Sequence, residues 1–206
     1  MIDLRKASDA EISAFYAADR DEPKHVAGRK RAPLFREFAV AAAVSQLDCR
    51  TVLDVGCGDG HLAGLMATCG HEVAVADVIE ANVVEAQRRI RKADPTQDPD
   101  GWMGLVESLT FVRAFDAVTC CETIEHVRDP RRAVANLARA ARRLVVLTTP
   151  VGHCYDDPSH LHHWDDGQAL VDALGVQGLF SEVLVHEIPS RLGDEGLVFM
   201  LMGIPK

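Results

Sequence analysis

Residues 51–64, TVLDVGCGDGHLAG, decide the fold. A short β-rich run, TVLDV, closes in a turn with glycine at every second position, Gly56, Gly58 and Gly60. An apolar helical pattern follows in GHLAGLMATCG, with Leu62, Leu65 and Met66 on one side. Strand, glycine turn and helix in that order build a nucleotide-type site at the carboxyl edge of a parallel sheet. A dinucleotide fingerprint GxGxxG needs its third glycine so that helix and strand pack closely around a pyrophosphate. Here that place holds His61, which is bulky, and the glycines run Gly56, Gly58, Gly60 instead.

The chain around this stretch keeps the same rhythm. HEVAVADV (71–78) predicts a second strand, and EANVVEAQRRIRKA a helix with Val83, Val84 and Ile90 on its apolar side. After the turn-rich DPTQDPDG, the segment WMGLVESLTF carries a weak strand signal. FDAVTCC predicts a fourth strand, PRRAVANLARAARR a helix, and LVVLTTP a fifth strand. Strands alternating with helices imply a parallel sheet covered on both faces. The rhythm then changes: a polar loop, VGHCYDDPSHLHHW, leads to a helix around DGQALVDAL. SEVLVHEI and GLVFMLMGI follow with no helix between them, which predicts a closing hairpin with at least one antiparallel strand. Residues 1–50 read as mainly helical, with Phe35, Phe38, Val40 and Val44 as an apolar side. The charged, turn-rich stretch at 17–34 is expected to order over a site as a lid.

Bulk properties narrow the function classes. A chain of 206 residues with 48% hydrophobic and 26% charged residues is expected to form one globular domain. The net charge of −9 disfavours broad electrostatic binding of nucleic acid. MIDLRKASDAE contains no apolar export core, and no run approaches the roughly 20 apolar residues of a membrane span, so a cytoplasmic protein is expected. The six cysteines include the adjacent pair Cys120–Cys121 and Cys57 in the glycine turn, with no CxxC spacing. They read as reduced, small apolar residues.

The glycine pattern resembles the first motif of the class I S-adenosylmethionine-dependent methyltransferases, over roughly residues 50–206. The resemblance implies a three-layer, Rossmann-like α/β fold with a mostly parallel seven-stranded sheet and an antiparallel hairpin at the C-terminus. Residues 1–48 would form an N-terminal helical cap and 49–206 the cofactor-binding domain. Asp54, Gly56, Gly58 and Gly60 would lie along the aminoacyl part of the cofactor, Asp77 at the ribose hydroxyls, and Val78 and Ile79 beside the adenine. GLVESLTF (104–111) is similar to the family's GDAESLPF-like segment and departs from it at Leu105, where an acid often meets the adenine amine. Backbone near Val106 and Glu107 would then make that contact, with Ser108 and Cys121 also at the cofactor.

CCETIEHV (120–127) places two carboxylates and an imidazole where the fourth strand ends, on the edge that carries the glycine turn. A helical turn there would set Glu122, Glu125 and His126 at i, i+3 and i+4. With SHLHHW (159–164), the stretch resembles small-molecule O-methyltransferases of the quinone-biosynthesis type. It also resembles small-RNA 3′-terminal 2′-O-methyltransferases, in which ExxEH and a later histidine bind a divalent metal. Three readings stay open: Glu122, Glu125, His126 and His160 as ligands of magnesium, manganese, zinc or iron; a metal-free site in which His126 or His160 is the base, with Glu122 as a helper; or a polar loop at a strand end. His162 and His163 read as loop and packing residues.

The acceptor's surroundings are less marked. Lys24, His25, Arg29, Lys30 and Arg31 would either hold an anionic group or form a solvated charged surface, and Tyr16, Tyr155 and Trp164 are candidate substrate walls. The leading expectation is methylation of a hydroxyl on a small metabolite, such as a sugar, quinone precursor or natural product. The alternatives are metal-dependent 2′-O-methylation of RNA 3′ ends and a non-catalytic, cofactor-binding partner protein.

Overall fold

The structure, a computed structural model, describes residues 3–19, 34–152, 157–190 and 196–206. Most of the proposed lid, with Lys24, His25, Arg29, Lys30 and Arg31, lies outside the described residues, as does Tyr155. The elements run α1 (Asp9–Asp19), α2 (Phe35–Gln46), β1 (Thr51–Val55), α3 (His61–Thr68), β2 (Glu72–Asp77), α4 (Glu80–Ala93) and β3 (Gly101–Met103). They continue with β4 (Phe115–Cys121), α5 (Pro130–Ala140), β5 (Ala141–Pro150), α6 (Gly167–Leu174), β6 (Phe180–Pro189) and β7 (Leu197–Pro205). One sheet of seven strands has the order β3-β2-β1-β4-β5-β7-β6, with β7 antiparallel to both neighbours and the other pairings parallel. The expected architecture, including the closing hairpin, is the one present.

The buried strands work because their side chains alternate between two apolar layers. Leu53, Val55, Val118, Cys120, Val145 and Leu147 meet α5 and α6, while Val52, Val73, Val75, Ala117, Leu144 and Val146 meet α2, α3 and α4. The two N-terminal helices take different places. Val40, Ala41 and Val44 of α2 are part of the second layer, whereas Ile12, Phe15 and Tyr16 of α1 pack with Val78, Leu105 and Leu161 above the carboxyl ends of the strands.

Several helical details differ from the sequence reading. Val84 is 59% exposed, and α4 buries Val83, Ala86 and Ile90, the i, i+3, i+7 row on one side of a 3.6-residue helix. Phe38 is likewise exposed, because α2 buries Glu37, Val40, Ala41 and Val44. The helix PRRAVANLARAARR stops at Ala140, and Ala141, Arg142 and Arg143 already belong to β5. Arg142 reaches Asp116 and Arg143 the carbonyls of Leu47 and Asp48, contacts that an extended backbone permits. WMGLVESLTF yields only the three-residue β3 and a short 3-10 turn at Val106–Ser108.

Candidate active site

The carboxyl ends of β1, β2, β4 and β5 carry the candidate site. In the glycine turn, Gly56, Gly58 and Gly60 have φ of +69°, +52° and +76°, a region in which side chains are strained. Sterics separate the three. A Cβ on Gly60 would lie 2.4 Å from Ala86 Cα of α4, and one on Gly56 would lie 2.2 Å from Thr123 Oγ1. A Cβ on Gly58 would meet nothing within 4 Å, so the turn opens there onto space that a ligand can fill. The Gly58 N–H donates to Asp77 Oδ2 (2.9 Å), while Asp77 Oδ1 accepts from Ile79 N–H (2.8 Å) and Asn82 Nδ2 (3.2 Å). The acid that ends β2 thus ties the turn to the start of α4.

Asp54 is buried, and Thr119 Oγ1 donates to its Oδ1 at 2.7 Å. Burial pushes its pKa up to about 7; the Thr119 hydroxyl works against this, and the nearby charges of Glu37 and Asp77 add to it. Glu107 is also buried. Its Oε1 accepts the Arg128 N–H (3.0 Å), and its Oε2 is enclosed without a hydrogen-bond partner among the described residues. An enclosed acceptor of this kind suits a donor on a bound ligand. Val78 and Leu105 pack with the apolar residues of α1, and Ser13 Oγ donates to the Val78 carbonyl at 2.9 Å.

The turn after β4 is tighter than an α-helix. Glu122 has φ +50°, and only Ile124–His126 form a 3-10 turn, so the anticipated helical i, i+3, i+4 arrangement is absent. The structure brings together three of the four proposed ligands: Glu125, His126 and His160 offer atoms within 4.8 Å of one another. Glu122 is outside this group. The positive φ turns it from the 3-10 turn, and its Oε1 accepts from Thr148 Oγ1 of β5 at 2.9 Å. Glu125 Oε2 accepts from Thr149 Oγ1 (3.1 Å), and its backbone carbonyl accepts the N–H groups of Leu161 and His162. Those two bonds dock the loop that delivers His160.

Electrostatics distinguish the members of this group. Burial, then the charge of Glu122, holds the Glu125 carboxyl well above the usual range; Arg36 opposes the shift. Burial lowers the His160 pKa, with Asp157 acting in the other direction, which favours a neutral imidazole able to ligate or accept a proton. One carboxylate and two imidazoles form a donor set that zinc, manganese or iron accepts. The His126 ring lies 4.7 Å from that of His160 and 5.8 Å edge-on from that of Tyr16. Trp164, read as a substrate wall, is instead buried in the α5–α6 layer and stacked on His162, whose Nε2 meets the Val127 carbonyl.

Five contributors escaped the sequence reading. Thr148 and Thr149 hold the two carboxylates, and a polar pair ending the apolar run LVVLTTP was their available signal. Arg36, in the first turn of α2, sends its charge toward Glu122 and Glu125, and its Nη1 donates to Ser190 Oγ at 2.8 Å. No local pattern marks it. Asp157 and Ser159 stand beside His126, as described below.

With this geometry in place, comparison with known proteins becomes specific. The methyltransferase domain family matches residues 12–183, and the chain belongs to that family. The ubiquinone biosynthesis O-methyltransferase of Alkalilimnicola ehrlichii is 39% identical over 116 residues, covering 55% of this chain and 43% of that protein. The chain spans less than half the length of the curated relatives it matches. Among solved structures, magnesium protoporphyrin IX methyltransferase from Synechocystis PCC 6803 with bound SAH superposes with TM-score 0.71 at 17% identity, covering 97% of this chain and all of that one. The methyltransferase domain of bacterial CtHen1-C gives TM-score 0.64 at 20% identity, with 83% and 97% covered. These two likenesses establish the fold. Among the described residues no helix is long and apolar enough to cross a membrane.

Proposed function

We propose that the chain is an S-adenosylmethionine-dependent methyltransferase that methylates a hydroxyl of a small molecule. The observation that carries this reading is the meeting, on one sheet edge, of an open glycine turn, Asp77, and the group Glu125, His126 and His160. The names of the curated relatives support oxygen as the acceptor atom. The donor, when bound, supplies an activated methyl carbon. The chain's own tasks are then alignment and proton removal. Gly58 leaves room beside the turn, Asp54 and Asp77 present carboxyls to the aminoacyl and ribose parts, Val78, Ile79, Val106, Glu107 and Ser108 surround the adenine end, and Cys121 lies beside Asp54. His126 or His160 takes the acceptor's proton as the oxygen bonds to the methyl carbon and the carbon–sulfur bond breaks. The described part of α1 roofs the site, packing Ile12, Phe15 and Tyr16 with Val78, Leu105 and Leu161.

Glu125, His126 and His160 also fit a divalent metal, which would lower the pKa of a hydroxyl bound to it. That donor set favours, as a second reading, 2′-O-methylation of RNA 3′ ends; the net charge of −9 weighs against it. Calorimetry with S-adenosylmethionine and NAD, followed by transfer of labelled methyl groups to a panel of catechols, sugars and RNA with intact or periodate-oxidised 3′ ends, with and without chelator, tests both. Binding of the sulfonium donor and labelling of a small hydroxyl compound are expected. NAD binding with no donor binding would overturn the assignment, and labelling confined to unoxidised RNA 3′ ends would favour the second reading.

A further inference from the structure

The loop that carries His160 makes a second, unassigned contribution one step back from the reacting atoms. Asp157 Oδ1 accepts from both the Ser159 hydroxyl (2.6 Å) and the Ser159 N–H (2.9 Å). His126 Nδ1 lies 3.1 Å from the Ser159 carbonyl oxygen and 3.1 Å from the Ser159 hydroxyl oxygen. A carbonyl oxygen can only accept, so Nδ1 must donate to it. The serine has a single hydroxyl proton, and the short bond to Asp157 uses it, so the hydroxyl oxygen also faces Nδ1 as an acceptor. Both contacts demand a proton on Nδ1.

We propose that Asp157 and Ser159 are positioning residues that hold the His126 proton on Nδ1, leaving the lone pair of the neutral ring on Nε2, which lies 3.8 Å from Glu125 Oε1. This deepens the reading of His126 as base or ligand and rests on it for its purpose, although the tautomer itself does not. Free histidine in water prefers its proton on Nε2, where it would block that nitrogen. The hydrogen bond at one ring nitrogen therefore decides what the other can do. Asp157 Oδ1 takes both the Ser159 hydroxyl and the Ser159 N–H, the acceptor-only role of a carboxylate oxygen. Asp157 is thus a standing acceptor that keeps the serine proton turned away from the imidazole.

The variants separate the two contributions. Ser159→Ala leaves the backbone carbonyl, so Nδ1 should stay protonated. Asp157→Ala frees the serine proton to compete with the carbonyl at Nδ1, so an Nε2–H population should appear beside the Nδ1–H form. Asp157→Asn restores an acceptor oxygen and should restore the wild-type tautomer.

Long-range 1H–15N correlation spectra of protein labelled in its histidines read this directly, with His126 assigned through His126→Gln. The expected wild-type pattern has a protonated Nδ1 and an unprotonated Nε2, and Asp157→Ala should move both resonances toward the averaged position. A wild-type Nε2–H ring overturns the proposal, and the wild-type spectrum decides even if Asp157→Ala does not fold. An unchanged Asp157→Ala spectrum overturns it as well. The expected spectra without methyl transfer to any acceptor would leave the tautomer proposal standing and remove the proposed activity.

Discussion

The proposed donor side and the proposed acceptor side of the candidate site share one sheet edge but are built differently. The donor side is made largely of backbone: three glycines with positive φ, and an Asp77 whose carboxylate is engaged by backbone N–H groups. It comes from one nearly continuous stretch, β1 to the start of α4. The acceptor side is made of side chains from distant segments, with Arg36 from α2, Glu122 and Glu125 after β4, Thr148 and Thr149 on β5, and His160 from the following loop. A backbone site is specified by local conformation and tolerates little. A side-chain site is specified by packing, and its members can be exchanged one at a time.

The strongest way to break the donor side is Gly60→Ala. Its Cβ would press on the backbone of α4 at a φ that alanine resists, a combined cost of roughly 3–5 kcal/mol from overpacking and left-handed strain. Thermal melts should show a large loss of stability for Gly60→Ala and a smaller one for Gly56→Ala, whose new Cβ meets the movable Thr123 side chain. Gly58→Ala should cost only the strain of its φ, about 1–2 kcal/mol, yet still weaken donor binding because its Cβ enters the open space. Equal melts for the three variants would refute the steric ranking.

The same contrast explains what the sequence disclosed. TVLDVGCGDG is readable because strand, turn and helix are consecutive and glycine is the residue that the turn's φ values require. ETIEH was readable as a cluster but not as a shape. Nothing local announces that Glu122 adopts a positive φ and leaves the turn, because Thr148 on another strand receives it. Arg36 is out of reach for the same reason, since its partners lie more than 80 positions away in the chain. Val84 and Phe38 are a milder case: apolar residues beside a helix's buried row are placed by the partner surface and not by their own hydrophobicity.

Asp54 allows the donor side to be tested by pH. Its carboxyl stands at about 7 in the folded protein against 3.8 ordinarily, so between those values the folded state keeps a proton that the unfolded state has lost. Its contribution is full below about pH 4 and disappears as pH rises through about 7. Asp54→Asn keeps the oxygen that Thr119 meets and removes the titration. Urea melts of the two proteins from pH 4 to 8 should diverge, the variant gaining relative stability with rising pH by at most about 4 kcal/mol. Parallel curves would show that Asp54 is not held protonated.

On the acceptor side, stability and activity should come apart. Glu125→Gln mimics the neutral carboxyl that burial favours and retains an oxygen for Thr149, so its melting temperature should stay close to wild type. Methyl transfer should fall by roughly 10–100-fold, the usual cost of disturbing a ligand or its orienting shell. His160→Ala should show a comparable fall. Activity within twofold of wild type in Glu125→Gln would remove that carboxyl from the working site.

The smallest expected effect concerns the element that spans both sides. Arg128 follows the 3-10 turn, and its guanidinium donates to the Ala7 carbonyl (2.8 Å) and to Asp9 Oδ1 (2.5 Å) at the start of α1. Arg5 adds a bond from the same N-terminal segment to the Leu161 carbonyl. Arg128→Ala should cost no more than about 1 kcal/mol of global stability, because the Asp9 partner is well exposed. Hydrogen exchange should nevertheless accelerate across residues 9–19, since α1 is otherwise held by few apolar contacts. If α1 roofs both sides, donor affinity and transfer rate should decline together and modestly. Faster exchange with both quantities unchanged would make α1 a bystander, leaving the two sides joined by the sheet edge alone.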